Sequence, residues 1–211
     1  MSFEPKIWRQ ISPARKLIIT LAFAGLIYAA AGTTVAPVPF AQMVEKADLI
    51  MEGKVVSSRC ESRLRGTNEV IFTLVEIEQN DTVKGKAAKT ITLQCLGGSV
   101  GSNTLEVIGV PKFKKSDRVV LFIQKNGIQF CPIVGLYQGK FNLRTDPATG
   151  QDFLEMHNGQ PLRNVDEIGV RTESSQFSRS PTIGSAPAAP MSLVAFKEEI
   201  RLQMARQKSS Q

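Results

Sequence analysis

Few residues of this 211-residue chain have the types and spacing that catalysis needs. His157 is the only histidine, and a Ser-His-Asp or Cys-His mechanism would require it as the general base. It directly precedes the turn pair Asn158-Gly159, so we interpret it as an exposed or edge-strand residue. No HExxH segment for zinc-dependent hydrolysis is present. We therefore predict that the protein is not an enzyme, and a hydrolase of unrecognised type is the alternative.

Three acidic residues around one turn, Asp146, Asp152 and Glu155, come closest to a metal-binding pattern. A calcium loop of the EF-hand type needs oxygen ligands at alternate positions and a glycine at the sixth. Here Pro147 follows Asp146 directly and Gly150 is the fifth residue. A zinc site takes three or four ligands, and the one histidine and three cysteines are too widely spaced to indicate one, in a compartment that is expected to be oxidising. We interpret the segment as a solvated turn and predict no metal and no cofactor.

The three cysteines, Cys60, Cys95 and Cys131, have two interpretations. Either all three are buried or half-buried apolar residues, or one disulfide leaves one free thiol. Cys60 follows the first predicted strand and Cys95 lies near the end of the third. Two strand spacings, ~9.6 Å in a flat sheet, exceed the ~5.5 Å Cα separation of a disulfide. The candidate disulfide Cys95–Cys131 is therefore slightly favoured over Cys60–Cys95, provided that the strands of Cys95 and Cys131 are neighbours.

A basic N-terminal segment followed by an apolar run predicts that the chain is exported. The basic residues are Lys6, Arg9, Arg15 and Lys16. They precede the apolar run 17–31, which ends in small residues, as in a secretory signal peptide. We predict a signal peptide at 1–31 and a secreted or periplasmic protein. The alternative is an uncleaved anchor, because no charge occurs from 17 to 44 and such a span could approach the ~20 residues that cross a bilayer. The main domain would then be tethered to the inner membrane, outside the cytoplasm.

The segment 40–169 has the spacing of strands and turns that is typical of a small β domain. Residues 40–47 place apolar side chains at i, i+3, i+4 and i+7, which predicts a short helix. Short strand-like runs follow, with turn signals about every ten residues. The predicted strands include 118–124 and 128–134, joined by a hairpin at Asn126-Gly127. The sequence predicts a mainly β fold, a small closed or partly open barrel. The predicted inward positions are Val55, Ile71, Leu74, Ile91, Leu93, Val120, Phe122 and Val134.

The C-terminal part differs in composition. Residues 170–191 are rich in Ser, Pro, Ala and Thr, which predicts a disordered linker. Residues 192–208 predict a helix with Ser192 as its N-cap. Its apolar stripe is narrow: Leu193, Phe196, Ile200 and Met204. We expect this helix to be dispensable for folding of the β domain.

The net charge of +7 does not indicate nucleic-acid binding. Three of these charges belong to residues 1–31, and the remaining surplus is spread along the chain. Nucleic-acid recognition needs a clustered basic footprint. The lysines at 84–89 and 112–115 stand beside predicted strands, and we interpret them as solvated loop rims. Contact with an anionic surface polymer or lipid headgroups is the alternative for them.

Several short segments between residues 40 and 144 resemble one family of proteins. They are 47–50 (ADLI), 53–55 (GKV), 83–85 (VKG), 97–98 (GG), Phe113 with 118–122 (RVVLF), and 134–141 (VGLYQGKF). They resemble exported bacterial β-barrel domains that occur alone or ahead of matrixin-type zinc proteases. The resemblance implies an OB-like or related closed barrel, similar in outline to netrin and tissue-inhibitor modules, with no established activity. The family-motif residues are Gly53, Gly85, Gly135, Tyr137, Gly139 and Phe141.

These observations together predict an exported, non-enzymatic β-barrel module. We expect it to bind an extracytoplasmic protein or an envelope component, without a cofactor and without nucleic acid. A membrane would be contacted through the N-terminal segment, if that segment is not cleaved. Besides the hydrolase, the alternative is a structural envelope protein tethered by its N-terminal span.

Overall fold

The computed structural model describes residues 35–86, 88–170 and 189–209. The predicted signal peptide 1–31 lies outside the described residues, as does most of the predicted linker 170–191. Within the described part, no helix is both long enough and apolar enough to cross a membrane.

The described chain is mainly β, as predicted, with eight strands and two α-helices. In chain order these are α1 (Phe40–Lys46), β1 (Leu49–Arg65), β2 (Asn68–Lys84), β3 (Thr90–Leu96), β4 (Gly98–Val100), β5 (Asn103–Leu105), β6 (Arg118–Ile123), β7 (Lys140–Thr145), β8 (Asp152–Glu155) and α2 (Leu193–Ser209). Short 3-10 turns occur at Leu136–Gly139 and Val165–Glu167.

Six strands form one antiparallel sheet in the order β3-β2-β1-β6-β7-β8, and β4 pairs with β5 in a separate hairpin. The edge strands β3 and β8 do not pair with each other, so the described strands form an open sheet and no closed barrel. The loop after β6 approaches the β3 edge, where the Leu96 amide donates to the carbonyl oxygen of Phe130 at 2.6 Å.

Strands β1 and β2 form a hairpin that extends beyond the rest of the sheet. We call its outer part, residues 60–73, the β1–β2 arm. The pairing of the two strands continues to Arg65 and Asn68, and a two-residue turn that contains Gly66 joins them. The polar segment 59–68 is therefore mostly strand, because both β1 and β2 run through it. Most side chains of this arm are exposed, so the apolar alternation that predicts a strand is missing.

The predicted strand 128–134 does not form as a whole. Its end returns to β6 through a bridge between Ile123 and Ile133, and the Val134 amide donates to the carbonyl oxygen of Phe122 at 2.9 Å.

Asn126-Gly127 does lie in a local turn, across which the Ile128 amide donates to the carbonyl oxygen of Lys125 at 3.0 Å. The predicted two-residue hairpin is wrong because no strand follows the turn directly, and the side-chain amide of Asn126 donates to the carbonyl oxygen of Thr92 on β3 at 2.8 Å.

The second Asn-Gly pair also lies in a turn. The amide of Met156 donates to the carbonyl oxygen of Gln160 at 2.9 Å, across Asn158-Gly159. The chain beyond the turn forms a single bridge to β8 at Pro161 and no further strand.

The sheet buries an apolar core on each of its faces. The helix-side core contains Phe40, Met43, Val44, Ala47, Ile50, Val120, Phe122, Val134, Phe141, Leu143, Leu154, Leu162, Ile168, Phe196 and Ile200. The loop-side core contains Met51, Val55, Val75, Ile77, Leu93, Cys95, Val119, Leu121, Ile123, Cys131 and Ile133. Because β6 contributes to both, its sequence is apolar from Val119 to Ile123.

The predicted inward residues do not share a single barrel interior. All are buried except Ile91, which is half-buried. Phe122 and Val134 belong to the helix-side core, whereas Val55 and Leu93 belong to the loop-side core. The sheet is covered on both of its faces. Side chains that point to opposite faces are therefore both buried, although they belong to different cores.

Helix α2 begins where the sequence predicts. The hydroxyl oxygen of Ser192 accepts a hydrogen bond from the Ala195 amide at 3.2 Å, so Ser192 is the N-cap. Just before the helix, the Met191 amide donates to the carbonyl oxygen of Leu162 at 2.7 Å. The last residues of the predicted linker are therefore fixed against the β8 side of the sheet.

Helix α2 completes the helix-side core. Phe196 is 0% exposed, and its ring centroid lies 5.9 Å from Phe40, 6.1 Å from Phe122 and 5.2 Å from Phe141. Truncating such a residue removes buried apolar surface and leaves a cavity. This packing is at odds with our expectation that the helix is dispensable.

An ion-pair network also attaches α2 to the sheet. The ammonium of Lys197 donates to Glu52 at 2.6 Å and to Asp81 at 2.7 Å. Although burial opposes it, bonding to these carboxylates raises the pKa of Lys197, and the hydrogen bond from Lys197 lowers the pKa of Asp81. Glu52 is the buried charged residue of the described chain, so the network satisfies a carboxylate that would otherwise be costly to bury.

Candidate protein-binding surface

Four large apolar side chains are exposed in two loops that meet at the end of β3. They are Leu105, Ile108, Ile128 and Phe130, with exposed fractions of 36%, 71%, 79% and 50%. We call this group the apolar rim. Single exposed apolar residues are ordinary, whereas a contiguous group of them is typical of an interaction site.

Backbone contacts bring the two loops of the rim together. The hydrogen bond from the Leu96 amide to Phe130 holds the loop after β6 against the end of β3. The chain around Leu105 approaches the next residue, since a Cβ built on Gly97 would lie 2.9 Å from the Leu105 carbonyl oxygen. Leu105 and Phe130 therefore both lie next to Leu96-Gly97.

Asn126 and Lys125 fix the loop that carries Ile128 and Phe130. In addition to the bond from Asn126 to β3, the Gln94 amide donates to the Asn126 side-chain oxygen at 3.3 Å. The Lys125 amide donates to the carboxylate of Asp48 at 2.8 Å. The loop is thus attached to the sheet at both ends, and its exposed side chains are presented from a fixed support.

A shallow depression adjoins the rim at Leu105. Its volume is about 410 Å³, and its lining residues are Glu69, Ile71, Ser102, Asn103, Thr104 and Leu105. It lies between the β1–β2 arm and the β4–β5 hairpin. The rim and this depression together offer an apolar ridge beside a polar hollow.

The rim carries little charge. Glu106 is the one charged residue in 96–110, and Lys125 is the one in 124–131. Binding of an anionic polymer depends on clustered cations, whereas protein interfaces are depleted of charge at their centre. The composition therefore favours a protein partner.

The cysteines lie behind the rim and on the arm. Cys95 and Cys131 are each 1% exposed in the loop-side core, and Cys60 is exposed on β1. Cys60 and Cys95 both pair with Thr73 from opposite sides, so the whole of β2 separates them. All three are free thiols.

The family-motif residues at 135–141 build a corner of the fold. Gly139 is in close contact with the preceding turn, because a Cβ there would lie 2.5 Å from the carbonyl oxygen of Val134. Phe141 is buried in the helix-side core. Gly135 precedes the 3-10 turn, and Tyr137 within it stacks on His157 with ring centroids 4.2 Å apart.

Gly53 and Gly85 lie elsewhere and also serve packing. Gly53 is inside β1, where a Cβ would lie 2.7 Å from the carbonyl oxygen of Glu78. Gly85 ends β2, against the backbone of Asp48. The motif therefore describes corners and close approaches of the chain, and it does not gather its residues at one exposed site.

The residues that we considered as catalytic or metal-binding candidates contact other residues of the fold. Partial burial lowers the pKa of His157, whose aromatic partner is Tyr137. The carboxylate of Asp146 accepts from the Ala148 amide at 2.9 Å within its own turn, and Asp152 forms an ion pair with Arg118. Throughout the described residues, no three His, Cys, Asp or Glu side chains are grouped as a metal site would need.

One of the lysines has a specific role. The Lys84 ammonium donates to the carbonyl oxygens of Val44 at 2.7 Å and Glu45 at 3.1 Å, at the end of α1, where a cation is favourable. For Lys84 the prediction of a freely solvated rim is therefore too simple, whereas Lys112 is exposed.

Sequence reasoning did not find the apolar rim. Ile128 and Phe130 alternate with Gln129, and this pattern predicts a strand with one buried face. The outward direction of both side chains depends on contacts with β3, which are distant in sequence.

Comparisons with known proteins found no matching family model, no matching curated protein and no matching solved structure. The family resemblance therefore stays a prediction.

Proposed function

We propose that this chain is an exported, non-enzymatic β module that binds an extracytoplasmic protein through its apolar rim. The observation that carries the proposal is the exposure of Ile128 and Phe130 on a loop whose backbone is fixed to β3. A fixed loop loses little conformational entropy on binding, so its exposed apolar area contributes more fully to affinity.

The export part of the proposal rests on the N-terminal sequence. The basic N-terminal segment and the apolar run of residues 1–31 support secretion or a periplasmic location, and an inner-membrane anchor would present the same domain outside the cytoplasm. The absence of a catalytic motif in the sequence and the stacking of His157 on Tyr137 support a binding role.

We also propose that the domain is a partly open, OB-like barrel. The support is the loop after β6, which reaches the free edge of β3 through Leu96, Gln94 and Thr92. It lies where a closing strand of a barrel would lie, and it carries the loop-side core residues Cys131 and Ile133.

Capture by matched variants tests the binding role. The full chain, the variant Ile128→Gln/Phe130→Gln and the control Leu64→Gln are immobilised and exposed to envelope extract. Because Leu64 pairs with Glu69, which lines the depression beside the rim, a second control, Val194→Gln, is included. Val194 is 77% exposed on α2, and α2 packs on the helix-side core, so this control removes a comparable apolar side chain away from the rim. We expect one captured protein to be lost with the rim variant and retained with the Val194→Gln control.

The proposal fails if capture is equal for all four proteins, or if the captured material resists protease and is released by polysaccharide hydrolases. Circular dichroism on each variant verifies that the fold is unchanged, since single surface substitutions usually alter stability by about 0.5 kcal/mol or less.

A further inference from the structure

We propose that Cys95 and Cys131 form an intramolecular disulfide that ties the loop after β6 to the edge strand β3. The bridge would add a covalent link to the few hydrogen bonds that hold the loop at this edge of the loop-side core. It does not depend on the partner of the apolar rim.

The positions of Cys95 and Cys131 in the fold support this pairing. Both side chains lie in the loop-side core, each 1% exposed. The hydrogen bond between Leu96 and Phe130 joins the residue after Cys95 to the residue before Cys131 at 2.6 Å. Cys95 and Cys131 therefore lie opposite each other on adjacent stretches of backbone and face the same core, so oxidation needs no large movement of the backbone.

Cys60 is unsuited to either alternative pairing. Its sulfur lies 3.5 Å from the hydroxyl oxygen of Thr73 on the exposed arm. Because Thr73 stands between Cys60 and Cys95 in the register, two strand spacings separate these cysteines, about 9.6 Å in a flat sheet. Cys60 therefore remains a free thiol in the proposed state.

The oxidant is a disulfide, small or protein-bound. The thiolate of one of the two cysteines attacks one sulfur of that disulfide, whose S–S bond breaks and releases one thiolate. The other cysteine then loses its proton and attacks the sulfur of the first, which releases the second oxidant thiolate. Two protein thiols are oxidised, and one oxidant disulfide is reduced to two thiols. Since both cysteines are buried in the folded domain, the exchange takes place while the loop is detached from β3, during folding.

Peptide mapping tests the proposal on the purified full chain. The protein is equilibrated with reduced and oxidised glutathione, quenched in acid, unfolded and alkylated without reductant. Cleavage after Lys and Arg places the cysteines on separate peptides, 60–63, 90–112 and 126–140. We expect peptides 90–112 and 126–140 to be linked, with Cys60 alkylated.

The variant Cys60→Ser is the matched control and should form the same linked pair. In the wild type and in this control, reduction should lower the midpoint of thermal unfolding by about 10 °C, the size of effect that closing a loop of about 36 residues gives in a domain of this length. Cys131→Ala should show no such response to reductant. Three alkylated cysteines, or a link that includes Cys60, would overturn the proposal.

Discussion

Replacing Phe196 by alanine tests whether helix α2 is part of the folded core. The Phe196 side chain is 0% exposed, and its ring contacts the rings of Phe40, Phe122 and Phe141. These three residues come from α1, β6 and β7, so a single truncation leaves a cavity where four elements meet.

The expected loss follows from this burial. Truncating a fully buried phenylalanine to alanine lowers the free energy of unfolding by about 3–5 kcal/mol. For a domain of this size, each kcal/mol shifts the midpoint of thermal unfolding by about 2–4 °C. Phe196→Ala should therefore lower that midpoint by about 10 °C.

Urea unfolding followed by circular dichroism measures the effect, with Val194→Ala as the control. Val194 lies on the same helix but is 77% exposed, so its truncation should change the free energy of unfolding by no more than about 0.5 kcal/mol. A loss below about 1 kcal/mol for Phe196→Ala would refute the packing described for α2 and restore the expectation that the helix is dispensable.

Three further predictions concern single positions. Lys197→Met should lower the free energy of unfolding by about 3 kcal/mol in urea titration because it leaves Glu52 buried and unpaired, and Lys197→Met/Glu52→Gln should recover part of that loss. Gly139→Ala should cost more than about 1 kcal/mol in the same assay, since its Cβ would clash with backbone. NMR titration of the single histidine should give a pKa below 6.5 for His157, and stability should therefore fall as pH decreases through that lowered pKa. A pKa at or above 6.5 would contradict its partial burial, and Tyr137→Ala should raise the value.

The sequence predicted those parts of the fold whose signal is local. The apolar run Arg118–Ile123 indicated a buried strand, and Ser192 with the stripe of Phe196 and Ile200 indicated the C-terminal helix. These elements are stabilised by the residues that form them, so propensity and periodicity suffice. The docking of the helix was missed, because an apolar stripe does not say which surface covers it.

The rim and the β1–β2 arm could not be predicted from local patterns. The arm is a paired hairpin with polar side chains on both faces, so its strands lack apolar alternation. The loop after β6 is held by Asn126 and Phe130 against β3, some 30 residues earlier in the chain. The local turn at Asn126-Gly127 forms as the pair predicts, but the hydrogen bonds to β3 replace the strand that we expected to follow it.

Photo-crosslinking from the apolar rim tests the proposed binding role most directly. A photoreactive amino acid is placed at position 128 or 130, and at position 194 on α2 as the control, in the full chain mixed with envelope extract. We predict an adduct with one protein from positions 128 and 130, absent from position 194 and sensitive to protease. Adducts of equal yield at all three positions, or none at 128 and 130, would contradict the assignment of the rim as a protein-binding surface.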